Sequence, residues 1–305
     1  MSVAGGRPGQ RLAALARLGR PVILPGGILA YALGAAMGYW HEGAFDWAAA
    51  WAGLAVTEVT NLVAHYADEY ADVDTDTITR RTWFSGGSGV LPAGLVPTAW
   101  ALRMAIGLAV LSVALTAALI VVGVLPAAVA WIVGLGLACG WFYSMPPIQL
   151  ERRGLGEPDN AFLGGILMPL MGYTVQTGRP TWAAALALLP IFLAVLVNLL
   201  GVHWADREAD AVVGKRSLVV VVGRHVRPLH HLLTAGAYLS AMALTGPVLP
   251  VEVTLALGTT LPVSLWVTVT FARGRSTVPS ALAMSLALVA TAAGWVIAAG
   301  SEGTG

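Results

Sequence analysis

The chain has 305 residues, of which 57% are apolar and 36 are glycine, while charged side chains make up only 11%. So little charge cannot cover a water-facing surface of this size, so an ordinary soluble globule is excluded. A net charge of +1 gives no basis for nucleic-acid binding, and the single cysteine, Cys139, excludes an internal disulfide.

In chain order, a basic tail over residues 1–20, carrying Arg7, Arg11, Arg17 and Arg20, precedes the first apolar stretch. Nine apolar stretches follow, near 22–40, 46–66, 98–121, 126–143, 159–176, 181–203, 228–246, 250–272 and 280–299. Runs of this length suit helices crossing a hydrocarbon core about 30 Å thick. Pro126, the Pro146–Pro147 pair, Pro180 and Pro228 mark breaks between them. β-barrel alternation is absent, and the first stretch, followed by so many others, is not a signal peptide. The expectation is an all-α, polytopic membrane protein forming a single domain over 1–305, with nine helices around a central cavity.

Basic residues favour cytoplasmic loops. With the helices laid out alternately, every Lys and Arg except Arg179 falls on one face, including Arg80, Arg81, Arg152, Arg153, Lys215, Arg273 and Arg275. The N-terminus is therefore expected in the cytoplasm.

The acidic residues are more specific. His65-Tyr-Ala-Asp-Glu-Tyr-Ala-Asp72 closes the second stretch, and His203-Trp-Ala-Asp-Arg-Glu-Ala-Asp210 closes the sixth. Both octads share a histidine, an aromatic residue and two Ala-Asp steps, and each follows an Asn-Leu pair, Asn61-Leu62 and Asn198-Leu199. This is an internal repeat that places two matched motifs at equivalent helix ends. Aspartates four apart lie on one helical face, so Asp68 with Asp72, and Asp206 with Asp210, form two carboxylate pairs. Such oxygens suit Mg²⁺, which is held by a few carboxylates while substrate phosphates complete its shell, so a metal-bridged diphosphate is the expected ligand. His65 and His203 are softer ligands than Mg²⁺ prefers and are expected as hydrogen-bond partners.

The segment from Phe84 to Gly89 is a Gly/Ser loop preceded by Arg80 and Arg81, and Lys215 and Arg216 follow the second octad at a comparable position. These residues can donate to phosphate oxygens. Glu58 and Asn61, inside the second stretch, are polar groups at membrane depth, and Asn61 is expected to be functional. Tyr66, Trp141, Phe142, Tyr143 and Trp204 are placed near the cavity mouth, to pack or to face a cation. Gly164, Gly165 and Gly172 either leave room for a lipid tail or allow close helix packing.

On these motifs the chain resembles the UbiA superfamily of intramembrane prenyltransferases, whose nine helices carry Asp-rich motifs after the second and sixth. The loop from Tyr143 to Glu157, and the segments Arg81–Leu91 and Asp206–Leu218, resemble the 1,4-dihydroxy-2-naphthoate polyprenyltransferase branch, which makes menaquinone precursors. The family's motif begins with an asparagine where this chain has Ala64 and Val202. The resemblance implies that Asp68, Asp72, Asp206 and Asp210 hold Mg²⁺ and act in catalysis together with Asn61. It also implies that Arg80, Arg81, Lys215, Arg216 and Tyr143 meet an isoprenoid diphosphate. The expected reaction transfers a polyprenyl group to an aromatic acceptor in the lipid bilayer. Three alternatives stand beside it: a terpene cyclase, a transferase with a glycerol-phosphate acceptor, and a transporter. Transport is disfavoured because both octads sit at one end of their helices rather than near the midplane.

Overall fold

A computed structural model describes residues 8–273 and 276–302, so Arg7 and Arg275 lie outside the described residues. The chain runs through α1 (Pro8–Leu18), α2 (Leu24–Glu42), α3 (Trp47–Ala71), α4 (Val73–Ile78), α5 (Thr98–Val121) and α6 (Val129–Ser144). A 3₁₀ turn at Leu150–Arg153 leads into α7 (Gly156–Phe162), a π turn over Leu163–Leu167 and α8 (Met168–Thr177). Then follow α9 (Trp182–Ala187), α10 (Leu189–His203), α11 (Arg207–Val212), α12 (Leu218–Val222) and α13 (Val226–Leu244). The last three are α14 (Val251–Gly258), α15 (Leu261–Thr270) and α16 (Val278–Glu302), and no β-strand occurs among the described residues.

Local chemistry sets several ends. Asp46 caps α3 by accepting the Ala49 N–H at 2.9 Å, and Thr181 caps α9 through the Ala184 N–H at 3.1 Å. Gly43, at φ +69°, closes α2 in the left-handed conformation that favours glycine. Prolines sit in the first turns of α8, α10 and α15, and Pro169 falls just after the π turn.

All nine predicted apolar stretches are helical. By length and apolarity alone, α5 and α16 are each able to cross a membrane, and α14 with the following helix, bent by 42°, is a third if counted as one span. Four of the other six stretches fall short for identifiable reasons. The 156–177 and 182–203 stretches are divided by the π turn and by the α9–α10 junction, α6 is short, and α3 carries Glu58 and the acidic octad.

α2 packs on α8, α3 lies between α5, α6 and α8, and α10 lies against α7, α13 and α16. The α2–α8 seam is unusually close. A Cβ on Gly34 or Gly172 would overlap the backbone of Pro169 or Tyr31, and one on Gly165 would lie 2.5 Å from the Phe192 Cα. Gly165 and Gly172 therefore serve close packing rather than space for a tail, whereas a Cβ on Gly164 would make an ordinary contact with Val195. Leu33, Ile191, Leu288 and Trp295 fill one core, Val56, Val129 and Ile132 a second, and Leu18, Tyr66, Val90 and Ala101 a third near the octads.

Candidate active site

The first octad stays helical through Ala71, with Asp72 as the C-cap of α3. Positions 58, 61, 65, 68 and 72 recur at intervals of three and four and share one face of that helix. Asp68 Oδ2 accepts from Arg20 Nη1 at 3.1 Å. Asp72 Oδ2 pairs with the Lys215 ammonium at 2.5 Å, and that ammonium is also 2.5 Å from Glu151 Oε2. One carboxylate oxygen each from Asp68, Asp72 and Glu151 lie within 4.8 Å of one another. Glu69 turns the other way and accepts both the backbone N–H (2.5 Å) and the hydroxyl (2.6 Å) of Ser88, which clasps the Gly/Ser loop to the octad.

The second octad is bent. Helix α10 stops at His203 and α11 starts at Arg207, whose guanidinium donates to the Trp204 carbonyl at 2.6 Å and lies 4.0 Å over the Trp204 ring. Asp206 occupies the N-cap position of α11, with Ser85 near enough to favour its charged form, and Asp210 accepts from Ser217 Oγ at 2.7 Å. His203 Nδ1 lies 3.1 Å from Glu157 Oε1, and Glu157 also accepts the N–H groups of Leu218 (2.9 Å) and Val219 (3.4 Å). Contact between α4 and α11 brings the ends of the two octads together.

Burial governs the electrostatics here. It pushes Asp206 up to about 6. It pushes Asp76 up to about 8, helped by the negative charges of Asp68, Glu69 and Asp72. Asp210 is raised by burial against the opposing pull of Lys215 and Ser217. Burial disfavours the Lys215 ammonium, but Asp72 and Glu151 outweigh it and hold the group protonated well above its usual range.

A model of the UbiA prenyltransferase family matches residues 28–290. The chain belongs to the UbiA prenyltransferase family. No curated protein matches it by sequence. Among solved structures it is similar to a UbiA homologue from Aeropyrum pernix K1 (TM-score 0.68, 16% identity, covering 89% of this chain and 97% of that one). It is also similar to a digeranylgeranylglyceryl phosphate synthase (TM-score 0.65, 14% identity, 94% and 99%). A third likeness is to an Archaeoglobus fulgidus UbiA homologue bound to GPP and Mg²⁺ (TM-score 0.61, 16% identity, 91% and 99%). At these identities the likeness establishes the fold: this is an all-helical UbiA-fold membrane protein and a prenyltransferase by family.

The structure brings some expected residues of this UbiA protein together and not others. Asp68, Asp72 and Lys215 converge, with Tyr143 close enough to feel the charges of Lys215, Asp68 and Glu151. Asp206 and Asp210 lie in the same electrostatic neighbourhood, but neither belongs to the close carboxylate group. Arg80 and Arg81 are exposed and line a cavity of about 370 Å³ with Trp83, Ala205 and Thr277, beside Asp206. Arg216 is exposed on the surface. Asn61 sits a turn beyond Glu58, and both face Gly27 of α2, where a Cβ would lie 2.9 Å from Glu58 Oε1 and 3.1 Å from Asn61 Nδ2. Asn198, its counterpart in the repeat, is buried beside a small cavity lined by Tyr238 and Ser280, so the echo does not extend to that pair. As expected, His203 is a hydrogen-bond partner; His65 is half-buried, with its Nε2 unpartnered among the described residues. Tyr66 donates to the Leu15 carbonyl at 2.8 Å and anchors α1, and the Trp204 face is taken by Arg207.

Three participants escaped the sequence reading. Arg20, assigned to the basic tail, reaches Asp68, and its Nε lies 4.0 Å from Glu69. Glu157 was visible only as the end of a loop motif. Glu151 had a signal in its acidic character within a basic loop, but nothing local tied it to the octads.

Proposed function

We propose that this protein transfers a polyprenyl group from an isoprenoid diphosphate to an acceptor in a Mg²⁺-dependent reaction, with a dihydroxynaphthoate-like aromatic ring as the acceptor. The observation that carries the reading is the convergence of the Asp68, Asp72 and Glu151 oxygens within 4.8 Å, next to Lys215. The donor set fits the metal. All the groups are carboxylates, and Asp68 Oδ1, Asp72 Oδ1, Glu151 Oε1 and Asp206 Oδ1 are buried with no hydrogen-bond partner among the described residues. Asp68, Asp72, Asp206 and Asp210 would hold Mg²⁺. When bound, the ion neutralises charge on the departing diphosphate and so eases cleavage of the allylic C–O bond.

The remaining roles belong to the chain. Lys215, Arg80 and Arg81 offer cationic donors to diphosphate oxygens. The apolar faces of α2, α3 and α8 keep water from the electrophile, so an acceptor ring carbon rather than water attacks it, and that carbon then loses its proton, or its carboxylate as CO2, to restore the aromatic ring. In this reading each of the nine helical stretches crosses the bilayer and the octads face the cytoplasm, supported by the one-sided placement of basic residues. A glycerol-phosphate acceptor is the second reading, supported by the structural likeness to a digeranylgeranylglyceryl phosphate synthase.

The test is mass spectrometry of lipid products from membranes given geranylgeranyl diphosphate and Mg²⁺, with dihydroxynaphthoate, with a prenylated glycerol phosphate, or with neither. A Mg²⁺-dependent prenylated naphthoate is the expected product. Product formed only with the glycerol phosphate selects the second reading, and an isoprenoid hydrocarbon formed without acceptor marks a cyclase. No product under any condition sinks all three.

A further inference from the structure

The octads supply four aspartates, yet the tightest oxygen cluster draws its third member from elsewhere. Glu151 comes from the 3₁₀ turn between α6 and α7, and its residue is 1% exposed. The turn is held firmly, because a Cβ on Gly156 would lie 2.8 Å from the Glu151 Cα. Glu151 Oε1 is buried with no hydrogen-bond partner among the described residues, as are Asp68 Oδ1 and Asp72 Oδ1. The fourth party is the Lys215 ammonium, 2.5 Å from both Asp72 Oδ2 and Glu151 Oε2.

A simple buried ion pair would use one carboxylate for one ammonium. Here Lys215 faces two, with Asp68 beside them, while Arg20 is occupied by Asp68 and Glu69. Burying a third negative charge against two others is costly unless further positive charge arrives. Their orphaned oxygens point to a cation of higher charge than an ammonium.

We propose that Glu151 is a further ligand of the divalent cation at the Asp68–Asp72 end of the site, and that Lys215 is the exchangeable counterion for that position. The cation and the ammonium compete for the same Asp72 and Glu151 oxygens. With the cation in place, Lys215 turns to the diphosphate oxygens. This rests on the magnesium–diphosphate reading above and adds to it a ligand and an order of charge exchange.

The experiment measures Mn²⁺ binding by electron paramagnetic resonance to the purified full chain, alone and with inorganic pyrophosphate. The variants are E151Q, E151D and K215M, with thermal unfolding as the folding control. E151Q is expected to weaken Mn²⁺ binding by about 10-fold or more, with E151D recovering part of the loss. K215M is expected to tighten Mn²⁺ binding without pyrophosphate and to weaken pyrophosphate binding. Folded E151Q with wild-type Mn²⁺ affinity overturns the ligand, and unchanged Mn²⁺ affinity in K215M overturns the exchange. If E151Q does not fold, E151D decides: wild-type affinity counts against the ligand and a weakened one supports it. A wild-type chain that binds Mn²⁺ neither alone nor with pyrophosphate brings down the parent reading as well.

Discussion

The two octads carry nearly the same residues in the same order and adopt different backbones. In the first, the helix runs on past Asp68, so two carboxylates point the same way and meet Glu151 and Lys215. In the second, the helix ends at His203, Asp206 caps a separate short helix, and Asp210 within that helix is tied down by Ser217. The cause lies in the partners. Glu157 holds His203 while also accepting the N–H groups at the start of α12, and Arg207 satisfies the carbonyl freed at Trp204. A shared pattern of carboxylates therefore yields one pair whose oxygens converge with Glu151 and one pair that does not join that cluster.

The sharpest way to break this comparison is charge removal. D72N is expected to lower prenyl transfer by about 100- to 1,000-fold, since it removes an oxygen shared by the cluster and Lys215. D206N is expected to cost less, on the order of 10- to 100-fold, with both variants remaining folded. Initial rates with labelled isoprenoid diphosphate check this, and equal losses would mean that the octads contribute alike. The bend itself is tested by H203A, which leaves the buried Glu157 short of a partner. About 1–3 kcal/mol of stability should be lost in thermal unfolding, with the first octad's Mn²⁺ affinity nearly kept.

A pH series probes the same divide. Asp206 at about 6 and Asp76 at about 8 bind protons that the unfolded chain releases near 4. Without metal, stability should therefore fall as pH rises from about 4 through about 8, and D76N should remove the upper part of that fall. Mg²⁺ affinity should move the opposite way, tightening over the range from about 5 to 8 as protons leave the carboxyls, as read by calorimetry. A smaller effect is expected for G87A. Gly87 sits at φ +62° and a Cβ there would overlap the Asp76 carboxylate, so about 1–2 kcal/mol should be lost. R216A, at an exposed position, should stay within about 2-fold of wild type.

Much of this molecule was legible in its sequence because membrane helices report themselves through long apolar runs and helical faces through spacings of three and four. All nine stretches formed helices, and Asp68 with Asp72 face one way as their spacing requires. What escaped depended on distant chain segments meeting. Arg20 read as one more basic residue of the tail, and only folding carries it to Asp68. Glu151 looked like part of a charged loop, because a carboxylate's neighbours in space are not its neighbours in sequence. Gly165 and Gly172 were open to two readings until the first met the Phe192 backbone and the second the Tyr31 backbone.

That last contact has a mechanical consequence. Where two helices touch main chain to main chain, no side chain can swing aside to make a gap, and prising them apart forfeits their dispersion contacts all at once. The joint between α2 and α8 therefore acts as a rivet. A bulky hydrocarbon entering sideways from the lipid has to part the bundle along another groove, where bendable side chains rather than peptide groups stand in its way.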